Sequence, residues 1–444
     1  MGVRPRHDRR RPDRGEAGRV KTGFGVLLTV CVGCHSAADE PGEPVLRLWK
    51  ASHGETAQDF ERVLAPFFAQ HPDLRLEAVV HPWQGWDERY ATAYTGGMPP
   101  DVAYMPDEFW PRFAAAGKLT ALDEMFPDQI EAMSREYPDN LWQLGSLGGH
   151  QYGIPFVYVS WHLYYNPELF DRAGLAYPPA TPDAADFDGW TWERFREVGL
   201  ALSQDLDGDG AQDQWGLAWS TLDVNPNAIY PFLWQGGADL LDADRRHNGF
   251  AERGAVGFGF MRQLARDGIV PEDGLHPGPS ELFYDGRAGM LIAPESTIHI
   301  LKRDFPDLPF GAAIVPRGPA TDFYEGRGAF GNSGFWVLSQ DSPRPREAFE
   351  LLCELTSSTP SAAMMEVVQL FGARKDWQAP QDDPRLETFI RGQRYLVPYP
   401  LHPRLRLVHT IIQAEVQAML LDRRTPEEAV AAAAAAVDAL VALR

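Results

Sequence analysis

Residues 151–174 read QYGIPFVYVSWHLYYNPELFDRAG, and the organisation of the chain follows from them. Gly153 and Pro155 mark a turn, after which the β-branched and aromatic run Phe156, Val157, Tyr158, Val159 and Trp161 shows almost no polar alternation. A strand of that kind is expected to be buried on both faces. Asn166-Pro167 then opens a helix with Pro167 at its first position, where the missing N–H is no loss. Tyr158, Trp161, Tyr164 and Tyr165 put unusual aromatic weight on a segment that joins one body to another.

The chain has 444 residues, which exceeds the roughly 250–300 at which a single core stops growing. Two domains are therefore expected. The formal charge is −21, and residues 1–33 carry eight Lys/Arg against three Asp/Glu, so their removal leaves −26. So acidic a surface argues against nucleic acid as a partner, because phosphates demand basic patches. It is neutral on an uncharged ligand.

Outward from the opening stretch, Val45 to Trp49 alternates as a half-buried strand. Phe60, Val63, Leu64, Phe67 and Phe68 recur at helical spacing, and Leu74 to Val80 is a second strand. Strand, helix, strand implies a parallel βαβ unit. Val102 to Tyr104 follows as a third strand, with Asp107 and Glu108 just past its carboxyl end, where open α/β sheets place ligands. Thr191 is the expected N-cap of a helix that ends at Ser203. Residues 361–444 read as helices.

The run from Gly153 to Gly174 resembles the first inter-lobe crossover of the family 1 extracellular solute-binding proteins, the ligand-capturing subunits of ATP-driven sugar importers. Their pattern is a "YGIP" turn followed by "YN-x-x-LF-x-x-AG", matched here by Tyr165, Asn166, Leu169, Phe170, Ala173 and Gly174. Gly96 to Val102 is similar to the family's "GG-x-PPDV". Phe283 to Met290 is similar to its "F-x-x-G-x-AAM", and Ala329 to Ser339 to its second crossover. The resemblance runs in order through residues 45–375.

It implies a two-lobe periplasmic-binding-protein-like α/β fold (type II), each lobe a mainly parallel sheet flanked by helices. The expected divisions are a signal peptide at 1–33 (with 1–19 not translated if Val20 is the initiator) and a linker at 34–44. Residues 45–156 with 335–380 would form the N-terminal lobe, and 157–334 with 381–444 the C-terminal lobe. The implied partners are a carbohydrate, a permease of the ABC type with its ATPase, and the membrane through a lipid anchor, the protein itself being a monomer. A cell-surface adhesin or sensor that binds sugar without transport stays open.

The apolar run Phe24 to Val32 is too short to span a bilayer but suits a signal-peptide core. Gly33-Cys34 resembles a lipobox, making Cys34 the expected lipidation site of an exported bacterial lipoprotein, although Cys31 stands where leucine is usual. An ordinary cleaved signal peptide is the alternative. Cys353 then remains, expected as a small buried hydrophobe.

Asp205, Asp207, Asp209, Gly210, Ala211 and Asp213 fill positions 1, 3, 5, 6, 7 and 9 of an EF-hand-type loop, with the carbonyl of Ala211 serving at position 7. Position 12 is Gly216 rather than glutamate, so either an incomplete structural calcium site or a solvated acidic turn is expected. No other cofactor is required.

Sugar recognition needs aromatic faces for ring C–H surfaces and polar groups for hydroxyls. Residues at loop or strand-end positions that fit are His53, Trp83, Trp86, Asp107, Glu108, Tyr158, Trp161, Trp219, Trp234, Glu295, Phe335, Trp336, Arg374, Tyr395 and Tyr399. Trp49, Trp142 and Trp192 sit inside apolar patterns and are expected in the core. Catalysis is disfavoured: adjacent residues such as Asp107 and Glu108 project oppositely on a strand, whereas paired carboxylates of a glycosidase must face each other. No G-x-S-x-G, metal-spaced histidines or phosphate loop occurs.

Overall fold

A computed structural model describes residues 44–219, 226–271, 279–380 and 383–442. The signal peptide, the alternative start, Cys34 and the linker before residue 44 lie outside the described residues.

Strand β1 (Val45–Ala51), helix Ala57–Gln70 and β2 (Arg75–His81) form the expected βαβ unit, and helix Trp86–Thr95 leads to β3 (Val102–Pro106). β1 lies between β2 and β3 and pairs with both in parallel. A two-stranded ribbon, β4 (Ser146–Leu147) and β5 (His150–Gln151), precedes β6 (Gly153–Tyr165). There follow β7 (Trp215–Leu217), β8 (Ala288–Pro294), β9 (Gly311–Ala313), β10 (Ala329–Leu338), β11 (Phe371–Gly372) and β12 (Leu396–Val397). The sheet order is β2-β1-β3-β10-β6-β8-β7.

Two long strands hold this sheet together. The first part of β6 pairs with β10 and β11, and its last part, Trp161–Tyr165, pairs with β8, with β9 on its other edge. β10 likewise runs from β12 at Ala329 to β3 at Leu338. They join a first half, built on β1–β3, to a second half, built on β7–β9. Within each half strands pair in parallel, β1 with β2 and β3, and β7 with β8, while the crossovers reverse against the strands they enter: β10 runs antiparallel to β3 and β6, and β6 antiparallel to β8 and β9, with β10 parallel only to the short β12. β6 has the expected two-sided burial, with only Tyr158, Trp161 and Tyr165 partly open.

Packing in the first half follows the two-residue period of strands. Leu46, Leu48, Tyr104 and Trp336 face Phe60 and Leu64, while Ala103, Met105, Phe335 and Val337 face Tyr90, Trp110 and Phe113. At Gly334 an added Cβ would collide with the ring of Tyr104, so β10 can approach β3 there only without a side chain. The second half gathers Trp192, Phe232 and Phe260, with the Trp192 and Phe260 rings stacked at 4.2 Å. Each large side chain so buried contributes about 1.5–3 kcal/mol. The Thr191 hydroxyl accepts from the Arg194 N–H as the expected cap. Cys353 is partly buried against the same core as Met133, and burial lifts its thiol to about 12.

Candidate ligand-binding site

The loops at the carboxyl ends of β1, β2 and β3 converge. At the end of β1, the Lys50 ammonium is buried, 2.5 Å from Glu55, and donates to Nδ1 of His53 at 2.8 Å. Burial first and Lys50 second hold His53 well below its ordinary pKa, so the ring is neutral. Its edge meets Trp83 at 5.0 Å and Tyr104 at 5.6 Å. Trp83 is 40% exposed. Trp86, three residues on, is buried and tilts onto Phe109.

At the end of β3 the two carboxylates part, as alternation requires. Asp107 turns to the crossover, donating from its N–H to Ser333 O at 2.9 Å and accepting from Ser333 N–H at 3.0 Å. Burial raises this carboxyl well above its ordinary range, and its Oδ1 has no hydrogen-bond partner among the described residues. Glu108 turns to the second half. Its oxygens lie 3.5 Å from Arg406 and 3.6 Å from His409 Nδ1, and Arg406 also donates to Asp87 at 2.8 Å. Burial raises Glu108, with Arg406 opposing, and burial lowers His409 to about 3.

Arg406 and His409 stand one turn apart on helix Leu405–Leu420 and share a face. Tyr230, on helix Pro226–Gln235, brings its ring to 5.3 Å from His409, and Tyr399 comes to 4.9 Å. First-half carboxylates thus face second-half donors across the line where the halves meet. Arg406, His409, Tyr230 and Asp87 are absent from the sequence-based candidates. The available signal was an arginine and a histidine in the first turn and a half of an amphipathic helix.

Other candidates stand elsewhere. Trp219, Trp234, Phe335, Trp336 and Tyr395 are all buried. Trp219 and Trp234 belong to the second-half core, Phe335 and Trp336 to opposite faces of the first-half sheet, and Tyr395 to a small cluster with Phe187 and Ile314. Trp161 is half-buried, edge-on to Phe330 at 5.5 Å. Glu295 is buried at the crossover, accepting from the Ser160 N–H at 2.8 Å.

Tyr158 lines a cavity of about 580 Å³ together with Asn332, Arg374, Trp377 and Gln393. Its hydroxyl accepts from the Gln393 amide, and Arg374 is held by Glu136 at 2.6 Å and Asp376 at 2.8 Å. Most of the remaining wall is aliphatic or backbone, including Leu141, Leu144 and Leu396. None of Asp87, Glu108, Tyr230, Arg406 or His409 lines it.

The acidic loop folds on itself. Asp205, Asp207 and Asp209 bring carboxylate oxygens within 4.8 Å of one another, all exposed. Asp205 accepts from the N–H groups of Gly208 and Gly210, which lower its pKa; Asp209 accepts from Ala211 N–H, and Asp213 from Leu206 N–H. A Cβ at Gly216 would strike the backbone of Gly199, so no carboxylate fits the twelfth position. The loop therefore offers carboxylates from one side only.

A family profile for bacterial extracellular solute-binding proteins matches residues 50–360. The chain belongs to that family. This solute-binding protein is 24% identical to a Brucella abortus (strain 2308) binding protein over 333 residues, 74% of this chain and 75% of the relative. Its fold is similar to that of an ABC substrate-binding protein from Listeria monocytogenes in complex with cycloalternan, with a TM-score of 0.76, 16% identity, and coverage of 90% of this chain and 100% of that one. It is also similar to the maltose/maltodextrin-binding domain of Bdellovibrio bacteriovorus bound to maltotriose, with a TM-score of 0.70, 20% identity, and coverage of 89% and 99%.

Proposed function

We propose that this solute-binding protein captures a mono- or oligosaccharide between two lobes and delivers it, unaltered, to an ABC permease driven by its ATPase. The lobes are residues 45–156 with 335–380 and 157–334 with 381–444. The observation that carries the reading is the meeting of Asp87 and Glu108 from the first half with Arg406, His409 and Tyr230 from the second, at the carboxyl ends of β1–β3. Charged and neutral polar groups from both halves suit hydroxyls, and the His53–Trp83 edge supplies aromatic surface. A ligand gripped by both lobes favours the closed arrangement through its differential affinity. Cys34 would tether the exported protein to the membrane through lipid.

Isothermal titration against mono- and oligosaccharides should give about micromolar binding to at least one of them, with the sugar recovered intact. Hydrolysis products, or no binding to any saccharide, would sink the reading. The acidic loop, where Asp205, Asp207 and Asp209 gather their carboxylates, we propose as a weak structural calcium site, with Asp213 and the Ala211 carbonyl as the further ligands its spacing suggests. Millimolar calcium should then raise the thermal midpoint over that in chelator; identical midpoints would leave only a self-capped acidic turn.

A further inference from the structure

We infer, resting on the solute-binding reading above, that Tyr230, His409 and Glu108 form the polar reader of this site, selecting an uncharged hydroxylated ligand and rejecting its phosphorylated counterpart. Beside the Glu108 carboxylate two side chains carry buried polar atoms without hydrogen-bond partners among the described residues: the Tyr230 hydroxyl and both His409 ring nitrogens, the nearer of which stays 3.6 Å from Glu108. Buried polar groups are ordinarily satisfied, since leaving one unpaired costs its full desolvation. Such atoms gathered at one place mark where a ligand supplies the missing partners.

Their chemistry names the ligand class. His409, kept neutral by burial and by Arg406, offers one donor and one acceptor and no charge. Tyr230 adds a hydroxyl that can do either. Glu108 accepts only, and the cation that contacts it, Arg406, is already engaged by Asp87 at 2.8 Å. A sugar hydroxyl can donate to Glu108 and accept from His409 or Tyr230. A phosphate dianion would meet a carboxylate whose countercharge is already shared, and would be repelled.

The test compares the full chain with its Tyr230→Phe, His409→Gln and His409→Leu variants, titrated with neutral saccharides and with sn-glycerol 3-phosphate as the charged probe. For the saccharide that binds tightest, Tyr230→Phe should weaken affinity about 5- to 30-fold. The thermal midpoint of the ligand-free variant should stay level or rise, because the hydroxyl removed has no partner there. His409→Gln, which keeps a donor and an acceptor, should retain most binding, and His409→Leu should lose it. Glycerol 3-phosphate should bind at least about 100-fold more weakly than the sugar. Unchanged affinity in Tyr230→Phe, a fall in both affinity and unliganded midpoint, or comparable binding of the phosphate each overturns the inference while sugar binding by the wild type stands. Failure of the wild type to bind any saccharide overturns the functional reading, and the inference with it.

Discussion

At the scale of single residues, Glu295 holds its proton far outside the usual carboxylate range at a junction of the sheet. It sits where β6 changes partners, and its carboxylate accepts from the Ser160 N–H while its backbone N–H donates to Ser160 O at 3.2 Å. Burial pushes its pKa to about 8, against a modest lowering by those backbone donors. The unfolded chain releases this proton near pH 4.5 and the folded protein keeps it until about 8. Stability is therefore unaffected by the group at pH 4.5 and below, then falls by about 1.4 kcal/mol per pH unit until the folded carboxyl ionises, and levels off above. Glu295→Gln keeps an acceptor for Ser160 and carries no proton to lose. Differential scanning calorimetry should find the variant's midpoint pulling ahead of the wild type from pH 5 to 8, with the gap closing towards pH 4.5. Parallel curves would mean that Glu295 is ionised in the fold. Single residues are also where sequence reading reaches least far. Trp83 and Trp86 lie three apart at the entry to one helix, yet one is open and the other buried. The difference is set by Phe109, which arrives from a later loop. Trp336 and Phe335 were legible as crossover residues, but their orientation is decided by Phe60 on one face and Trp110 on the other.

At the scale of elements, what was legible is what is long or chemically marked. β6 announced itself by the β-branched and aromatic run from Phe156 to Trp161, β10 by its resemblance to the family's second crossover, and helix Trp192–Leu202 by the threonine that caps it. β9, β11 and β12 were not legible, being two or three residues each. Such strands exist because an edge of β6 or β10 lies beside them with open backbone groups, not because of their own composition. β11 and β12 interrupt a region that reads as helices throughout. The missed half of the candidate site has the same origin. Arg406 and His409 sit on a helix whose amphipathic pattern explains burial, and only the placement of Glu108 opposite them turns two ordinary positions into a polar contact.

At the scale of the molecule, the ion pairs of Arg406 are a charged tie between halves at the proposed mouth. Asp87 and Glu108 come from the first half and Arg406 from the second, with the arginine side chain 45% exposed and each carboxylate 20%. Pairs this open to solvent are screened, and together contribute about 1 kcal/mol. That is small against folding but not against closure: a two-state equilibrium shifts about fivefold for each such increment. On the two-lobe reading, Arg406→Gln should leave the thermal midpoint within a degree or two while enriching the open form of the ligand-free protein. Small-angle scattering should then give a larger radius of gyration for the variant at low salt. Raising salt to about 1 M, where the screening length falls to roughly 3 Å, should bring the wild type up to the variant's value and leave the variant where it was. A wild type whose radius ignores both the substitution and the salt would show that apolar packing, through Leu401 against Phe109 and Trp110, holds the halves together without the arginine. The ligand's part in closing them would then have to be sought in contacts other than Asp87 and Glu108.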